Sequence, residues 1–194
     1  MTKRSVLVSA IVLSVVLFVA VPAWGTHLVC QGVVVVSDDA NHSGNNNNNT
    51  MNGGGSADVM SGEGGNDTMN GNGGGDTMCG KTGTDTMHGN AANDSLNAGD
   101  DVDHVFGDDG ADDIHAGAAN DDAHGNTGGD TVDGDNGNDL IEGNQDNDIL
   151  EDGLGADDVW GNGGVDTFHL CNSDPGDTIH AEVGEVLVFN AAYC

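Results

Sequence analysis

The sequence predicts an all-β repeat fold, a run of short strands joined by tight glycine-rich turns. Three observations predict it. Aspartate recurs every nine residues without an insertion: Asp58, Asp67, Asp76, Asp85, Asp94, Asp103, Asp112, Asp121, Asp130, Asp139, Asp148, Asp157 and Asp166. Two residues after each stands an apolar residue: Met60, Met69, Met78, Met87, Leu96, Val105, Ile114, Ala123, Val132, Ile141, Leu150, Val159 and Phe168. Glycines concentrate in the stretch before each Asp. Thirteen units of nine fill the 117 residues from Gly53 to His169, and self-similarity at a fixed period is the mark of a repeat architecture. A degenerate fourteenth unit, Gly44 to Asn52, keeps Met51 but carries Asn49 in place of the Asp.

Each unit supplies a strand and a turn. Around the apolar residue, three residues make a minimal strand whose middle side chain points one way and whose neighbours point the other. The flanks are mostly Thr, Ser, Asp, His and Asn, so the apolar side chain lines the interior. The six residues up to and including the Asp must reverse the chain, and glycine supplies the positive φ that such a turn demands. With the Asp at position 6, positions 1 and 2 share this duty: Ala98, Ala116 and Asp152 replace the first glycine, and Gly99, Gly117 and Gly153 follow them. Position 4 is looser, holding Ser56, Ala92, Asp101, Ala119 and Asp146 in five units. If that position needs positive φ, the turns of Ala92 and Ala119 are the weakest, because Asp tolerates left-handed geometry better than Ala.

The 194 residues carry 33 Asp and Glu against three Lys and Arg, a net charge of -30. Lys3 and Arg4 lie at the N-terminus, leaving Lys81 alone in the rest. A nucleic-acid binder needs basic surface and is excluded. Composition alone reads as disorder, since large apolar residues are too few for a conventional core. The strict phase overrides that reading. Aspartate carboxylates and turn carbonyls are hard oxygen donors, a set that suits Ca²⁺ over softer metals.

The units GEGGNDTMN (Gly62 to Asn70), GNGGGDTMC (Gly71 to Cys79) and GDNGNDLIE (Gly134 to Glu142) show the pattern G-G-x-G-x-D-x-U-x, with U apolar. It resembles the repeats-in-toxin (RTX, haemolysin-type) calcium-binding nonapeptide. That resemblance implies a parallel β-roll, a right-handed β-solenoid of about 13–14 repeats with short capping segments, two units to a coil and calcium between the turns. It makes the thirteen aspartates metal ligands. Stacking at 18 residues sorts them into two columns, Asp58 to Asp166 with seven members and Asp67 to Asp157 with six. Bare carboxylates at the strand spacing of about 4.8 Å repel, and an intervening dication clamps them. Six gaps and five gaps set a ceiling of about eleven Ca²⁺. The metal is then a folding partner, the apo chain disordered and the loaded chain a solenoid.

Residues 1–25 read as a secretory signal peptide: Lys3 and Arg4, the apolar run Val6 to Val21, then small residues before a cut ahead of Thr26. The rival reading is an uncleaved anchor; after cleavage no stable membrane insertion is expected, and the protein is secreted or held at the cell surface. Residues 26–52 form an N-terminal arm or cap, with the strand-like Gly32 to Val36, an Asn-rich link and the degenerate repeat. Residues 53–169 are the calcium-binding roll and 170–194 a C-terminal cap, in which GDTIH repeats the D-x-U motif after a two-residue slip and Glu185 to Asn190 form a strand. An N-terminal leader and cysteines depart from the family, which usually exports through a C-terminal signal. Cys30, Cys79, Cys171 and Cys194 allow three pairings. Cys171 with Cys194 and Cys30 with Cys79 is the natural set, and intermolecular pairing stays open.

His88, His115, His124 and His169 end their units and His104 flanks an apolar residue. A zinc site is conceivable there, but these histidines do not fall in neighbouring coils of one column, so they read as solvent-facing. Phe106 and Trp160 point outward, as a partner patch or the seat of the C-terminal tail. There is no H-E-x-x-H, no G-x-S-x-G and no non-repeat segment large enough for a catalytic domain, so no enzyme is expected. The expected role is a secreted, non-catalytic calcium-binding module. Its alternatives are a subunit of a cell-surface adhesive layer or filament, stacked end to end as a homo-oligomer, and an ice-binding protein. The last wants a regular outward Thr/Asn ladder, and the outward positions are mixed.

Overall fold

A computed structural model describes residues 41–171 and 176–189. The leader, Cys30, the Gly32 to Val36 segment and Cys194 lie outside the described residues. All regular structure within them is strand. The odd-numbered strands are β1 (Asn41–Asn45), β3 (Val59–Gly64), β5 (Thr77–Thr82), β7 (Ser95–Asp100), β9 (Asp113–Ala118), β11 (Thr131–Asp133), β13 (Ile149–Glu151), β15 (Thr167–Leu170) and β17 (Val186–Phe189). The even-numbered ones are β2 (Thr50–Asn52), β4 (Thr68–Gly73), β6 (Thr86–Ala91), β8 (His104–Asp109), β10 (Asp122–Thr127), β12 (Leu140–Gln145), β14 (Asp158–Gly163) and β16 (Thr178–His180).

Odd strands stack in order into one nine-stranded sheet and even strands into one eight-stranded sheet. Every pairing between named strands is parallel, and within the repeats the register steps by one coil: Met60 lies beside Met78, Met78 beside Leu96, Leu96 beside Ile114. The chain therefore alternates between two sheets, two units to the coil, as a parallel β-solenoid of about eight turns. The core is the set of apolar residues two after each Asp, buried from Met51 to Phe168, with Ala98, Ala116 and Leu170.

The strands are longer than the three residues expected around the apolar position. Most run six residues, through position 3 of the next unit, with a burial pattern that hides the apolar residue and then the small residue at position 1. Glycine or alanine at position 1 keeps the ladder going because it points inward without filling the interior.

That placement corrects the expected division of labour between positions 1 and 2. Positive φ belongs to position 2, where Glu63, Asn72, Lys81, Asn90, Asp108, Asn126, Asp135, Asn144 and Asn162 adopt it, as do Gly99, Gly117 and Gly153. Position 1 is governed by space. Positive φ recurs at position 4, where Ala92 and Ala119 adopt φ of 84° and 97°, beside Asp101 and Asp146 at 74° and 73°.

After the last repeat two further strands join the sheets. β16 pairs with β14 after a two-residue slip (Val159 beside Ile179), and β17 pairs with β15 after a one-residue slip (Phe168 beside Leu187). At the other end Asn49 donates its backbone N–H to Asp67 Oδ1 at 2.7 Å, so the degenerate unit completes a coil with a neutral residue in the aspartate's place.

Candidate calcium-binding turns

The turn at each coil edge ends on the repeat aspartate, just before the next strand. All thirteen, Asp58 to Asp166, are buried. Stacking brings them into the two expected columns, and a hydrogen bond joins each successive pair. The backbone N–H of each Asp donates to Oδ1 of the Asp one coil further on, as from Asp94 to Asp112, through eleven bonds of 2.6–2.9 Å. One carboxylate oxygen of each residue is thus held in place by the fold itself.

The other oxygen is not satisfied. Oδ2 of every repeat aspartate from Asp67 to Asp166 is buried without a hydrogen-bond partner. Asp58 differs: its Oδ2 accepts the Gly54 N–H at 2.6 Å. A buried, ionised, unpartnered carboxylate oxygen is costly, and twelve in two rows demand a counter-charge.

Burial registers in the acidity of these groups. It pushes Asp103 up to about 8, Asp94, Asp139, Asp148 and Asp157 up to about 7, and Asp85, Asp112, Asp121 and Asp130 up to about 6. Hydrogen bonds from the backbone oppose this shift, and neighbouring carboxylates add to it at several of the sites. Nearer the N-terminal end, Asp67 and Asp76 are raised by the same burial.

Space around the position-1 glycine is framed by oxygen. A Cβ on Gly71 would stand 2.6 Å from the Gly89 carbonyl oxygen, and one on Gly107 2.8 Å from that of Gly125. Each would also collide with Oδ2 of its own unit's aspartate, Asp76 or Asp112. The cradle so formed offers anionic and carbonyl oxygen and no softer donor, which fits Ca²⁺.

Some acids in these columns were not among the thirteen. Asp177 carries on the shorter column, its Oδ1 accepting the Asp157 N–H at 3.3 Å. Asp152, fully buried at position 1, brings its carboxylate to the same place, and Asp152, Asp157 and Asp177 can present three oxygens within 4.8 Å of one another. Glu185 lies against Asp166 at the end of the longer column, where burial raises its carboxyl. The D-x-U motif of GDTIH was the signal for Asp177; the slips in register hid Glu185.

The outer faces differ from expectation. Histidines face outward, but His115, His124 and His169 are mostly covered, at 12–18% side-chain exposure, and pair with carboxylates. Phe106 is sandwiched between His88 and His124, with ring centroids 4.6 and 5.0 Å apart, while Trp160 stacks on His180 of the C-terminal cap. The tail thus seats on Trp160 and not on Phe106. Cys79 points away from the core cluster yet is only 6% exposed, and neither it nor Cys171 is a free thiol.

A parallel two-sheet solenoid with rows of buried, metal-ready carboxylates in its turns defines a calcium-binding β-roll. The chain matches the family model for the RTX calcium-binding nonapeptide repeat (four copies) over residues 43–78, 80–114, 106–141, 115–150 and 142–170. It belongs to that family. No curated protein matches the chain.

Proposed function

We propose that this is an exported, non-catalytic calcium-binding module that folds outside the cell as its turns fill with Ca²⁺. The observation that carries the reading is the double row of buried Oδ2 atoms with no protein partner. Asp58, Asp67, Asp76, Asp85, Asp94, Asp103, Asp112, Asp121, Asp130, Asp139, Asp148, Asp157 and Asp166 are the ligands, with up to about eleven ions between successive turns. Calcium-free cytoplasm keeps such a chain unfolded, and export delivers it to the ion that folds it.

Residues 1–25 act as the cleaved leader, and the oxidising exterior suits disulfides from Cys30 to Cys79 and from Cys171 to Cys194. Mass spectrometry of the secreted protein tests this half of the reading. It should find an N-terminus at Thr26 and linked Cys30 and Cys79 peptides in a monomer. A retained leader, or free thiols, would overturn it.

A second reading, end-to-end stacking into a filament or adhesive layer, is favoured by β17. Among the described residues it is the outermost strand of its sheet, and it exposes Val186, Leu187 and Phe189 at 48%, 46% and 61%. Such an apolar edge is a template for another chain. Electron microscopy of the calcium-loaded protein separates filaments from single particles.

A further inference from the structure

We propose that His115, Asp133 and Asp135 form a second kind of metal site, for a divalent transition ion of the Zn²⁺ type, on the outer face of the nine-stranded sheet. Asp135 belongs to the turn that ends on Asp139, so this site borders a calcium turn and differs from it in its nitrogen ligand and its place on the outer face. His115 stands in β9 between Ile114 and Ala116, both buried in the core, so alternation along the strand puts its ring outside. Asp133 lies directly beside it on β11. That strand stops at Asp133, and Asp135 follows with φ of 60°, its N–H donating to Asp133 Oδ1 at 2.9 Å. The bond fixes Asp133 and leaves its Oδ2 toward the histidine. One coil to either side of Asp135 the same position is Gly117 or Gly153, which carry no side chain.

The distances are those of shared coordination. His115 Nδ1 lies 3.5 Å from Asp133 Oδ2 and 3.5 Å from Asp135 Oδ2. Elsewhere on these faces a histidine closes to hydrogen-bond distance on a carboxylate, 3.0 Å from His88 to Asp108 and 3.0 Å from His169 to Glu151. Two ligands about 2.1 Å from a tetrahedral zinc stand roughly 3.4 Å apart. All three ligand atoms lie within 4.8 Å of one another, so a single ion can touch them once the two carboxylates close on it.

Ligand chemistry selects the ion. Calcium takes oxygen donors, whereas imidazole nitrogen suits zinc and its neighbours. On the far side of the ring, Nε2 lies 3.9 Å from Asp113 Oδ1, too far for a hydrogen bond. The three residues keep 12–21% exposure, enough for an ion to enter and for water to complete the shell. A search for paired histidines misses the site, because two of its three ligands are acids that an acidic sequence hides.

The test is a calorimetric Zn²⁺ titration of the full mature chain in saturating Ca²⁺, with circular dichroism confirming the fold at the start. Wild type should bind one equivalent tightly against the calcium background. His115→Asn and Asp135→Asn should each weaken that equivalent at least tenfold while leaving the calcium-induced β-signal intact, and His169→Asn should not change it. If a variant loses the β-signal, the wild-type imidazole resonance of His115 on adding Co²⁺ decides: selective broadening supports the site, and an unaffected resonance overturns it. An isotherm unchanged in both variants, or no zinc binding by the folded wild type, overturns it as well. Failure of calcium to fold the chain would instead count against the proposed function, and it is read before zinc is added.

Discussion

The two columns of turns make the same aspartate ladder from different neighbours. Along the longer column every first position is glycine, including Gly71, Gly89, Gly107, Gly125, Gly143 and Gly161. Along the shorter one, Ala98, Ala116 and Asp152 interrupt Gly62, Gly80 and Gly134. Both nevertheless keep the N–H to Oδ1 bonds, 2.8 Å from Asp94 to Asp112 and 2.8 Å from Asp103 to Asp121. The ladder is therefore set by the backbone and the aspartate, while position 1 decides how much room the carboxylate has. Positive φ is a separate demand, met one residue later, where asparagine serves as often as any residue.

The largest expected effect comes from removing a rung. Asp112 accepts from Asp94 through Oδ1, donates to Asp130, and leaves Oδ2 for metal. Asp112→Ala should raise the calcium needed for half-maximal folding by about tenfold or more, the scale of truncating one partner of a buried charged contact. Asp58, at the end of its column and already bonded to Gly54 N–H, should shift it by about twofold at most when changed to Ala. A calorimetric titration of both variants reads the difference, and equal losses would break the stacking account.

Next in size is a methyl placed in the all-glycine column. Gly107→Ala would press on the Asp112 carboxylate and the Gly125 carbonyl, an overpacking cost of about 1–3 kcal/mol. Calcium-loaded thermal unfolding should show it as a lower Tm. A Tm equal to wild type would mean that the alanines at 98 and 116 are typical and that the glycines of the longer column are not needed for space.

Acidity gives a third comparison. Burial pushes the nine repeat aspartates from Asp85 to Asp157 up to about 6 to 8 in the fold, against about 3.9 in an unfolded chain. A raised carboxyl favours the fold when protonated, so that contribution is complete below about pH 4 and is lost as pH rises through 6 to 8. In chelator, acidifying from pH 8 to pH 5 should therefore restore part of the β-signal. With calcium present the dependence reverses, since the ion needs ionised oxygen, and affinity should rise with pH as protons are released. A chelated chain equally disordered at both pH values would contradict this.

Smallest is the relief of backbone strain. Ala119 holds φ at 97°, where an L-residue costs on the order of 1–2 kcal/mol and glycine has no such strain. Ala119→Gly should stabilise the calcium form by about 1 kcal/mol or less, because glycine gives some of this back as chain entropy. Denaturant unfolding in saturating calcium measures it.

Much of this molecule is legible in its sequence because one unit is repeated without an insertion. The phase of Asp58 to Asp166 predicts the core, and the family resemblance that this phase carries implies the coil period and the two columns. The full strand length was hidden, since a buried Gly62 or Gly80 reads as a turn residue until the sheet shows it continuing the ladder. The sharing of Asp152, Asp157 and Asp177 was hidden by the slip in register after the last repeat. The outer clusters were hidden because they depend on which side chains 18 or 20 residues apart meet, as His115 meets Asp133 and Asp135. A nine-residue motif leaves those positions free.

The central claim is that calcium, acting through the unpartnered Oδ2 rows, is what closes this fold at neutral pH. Circular dichroism of the mature chain across a calcium titration, starting in chelator, tests it most directly. The account predicts a disordered spectrum without the ion and a cooperative rise of β-structure as calcium is added. An equal β-signal with and without chelator would contradict it.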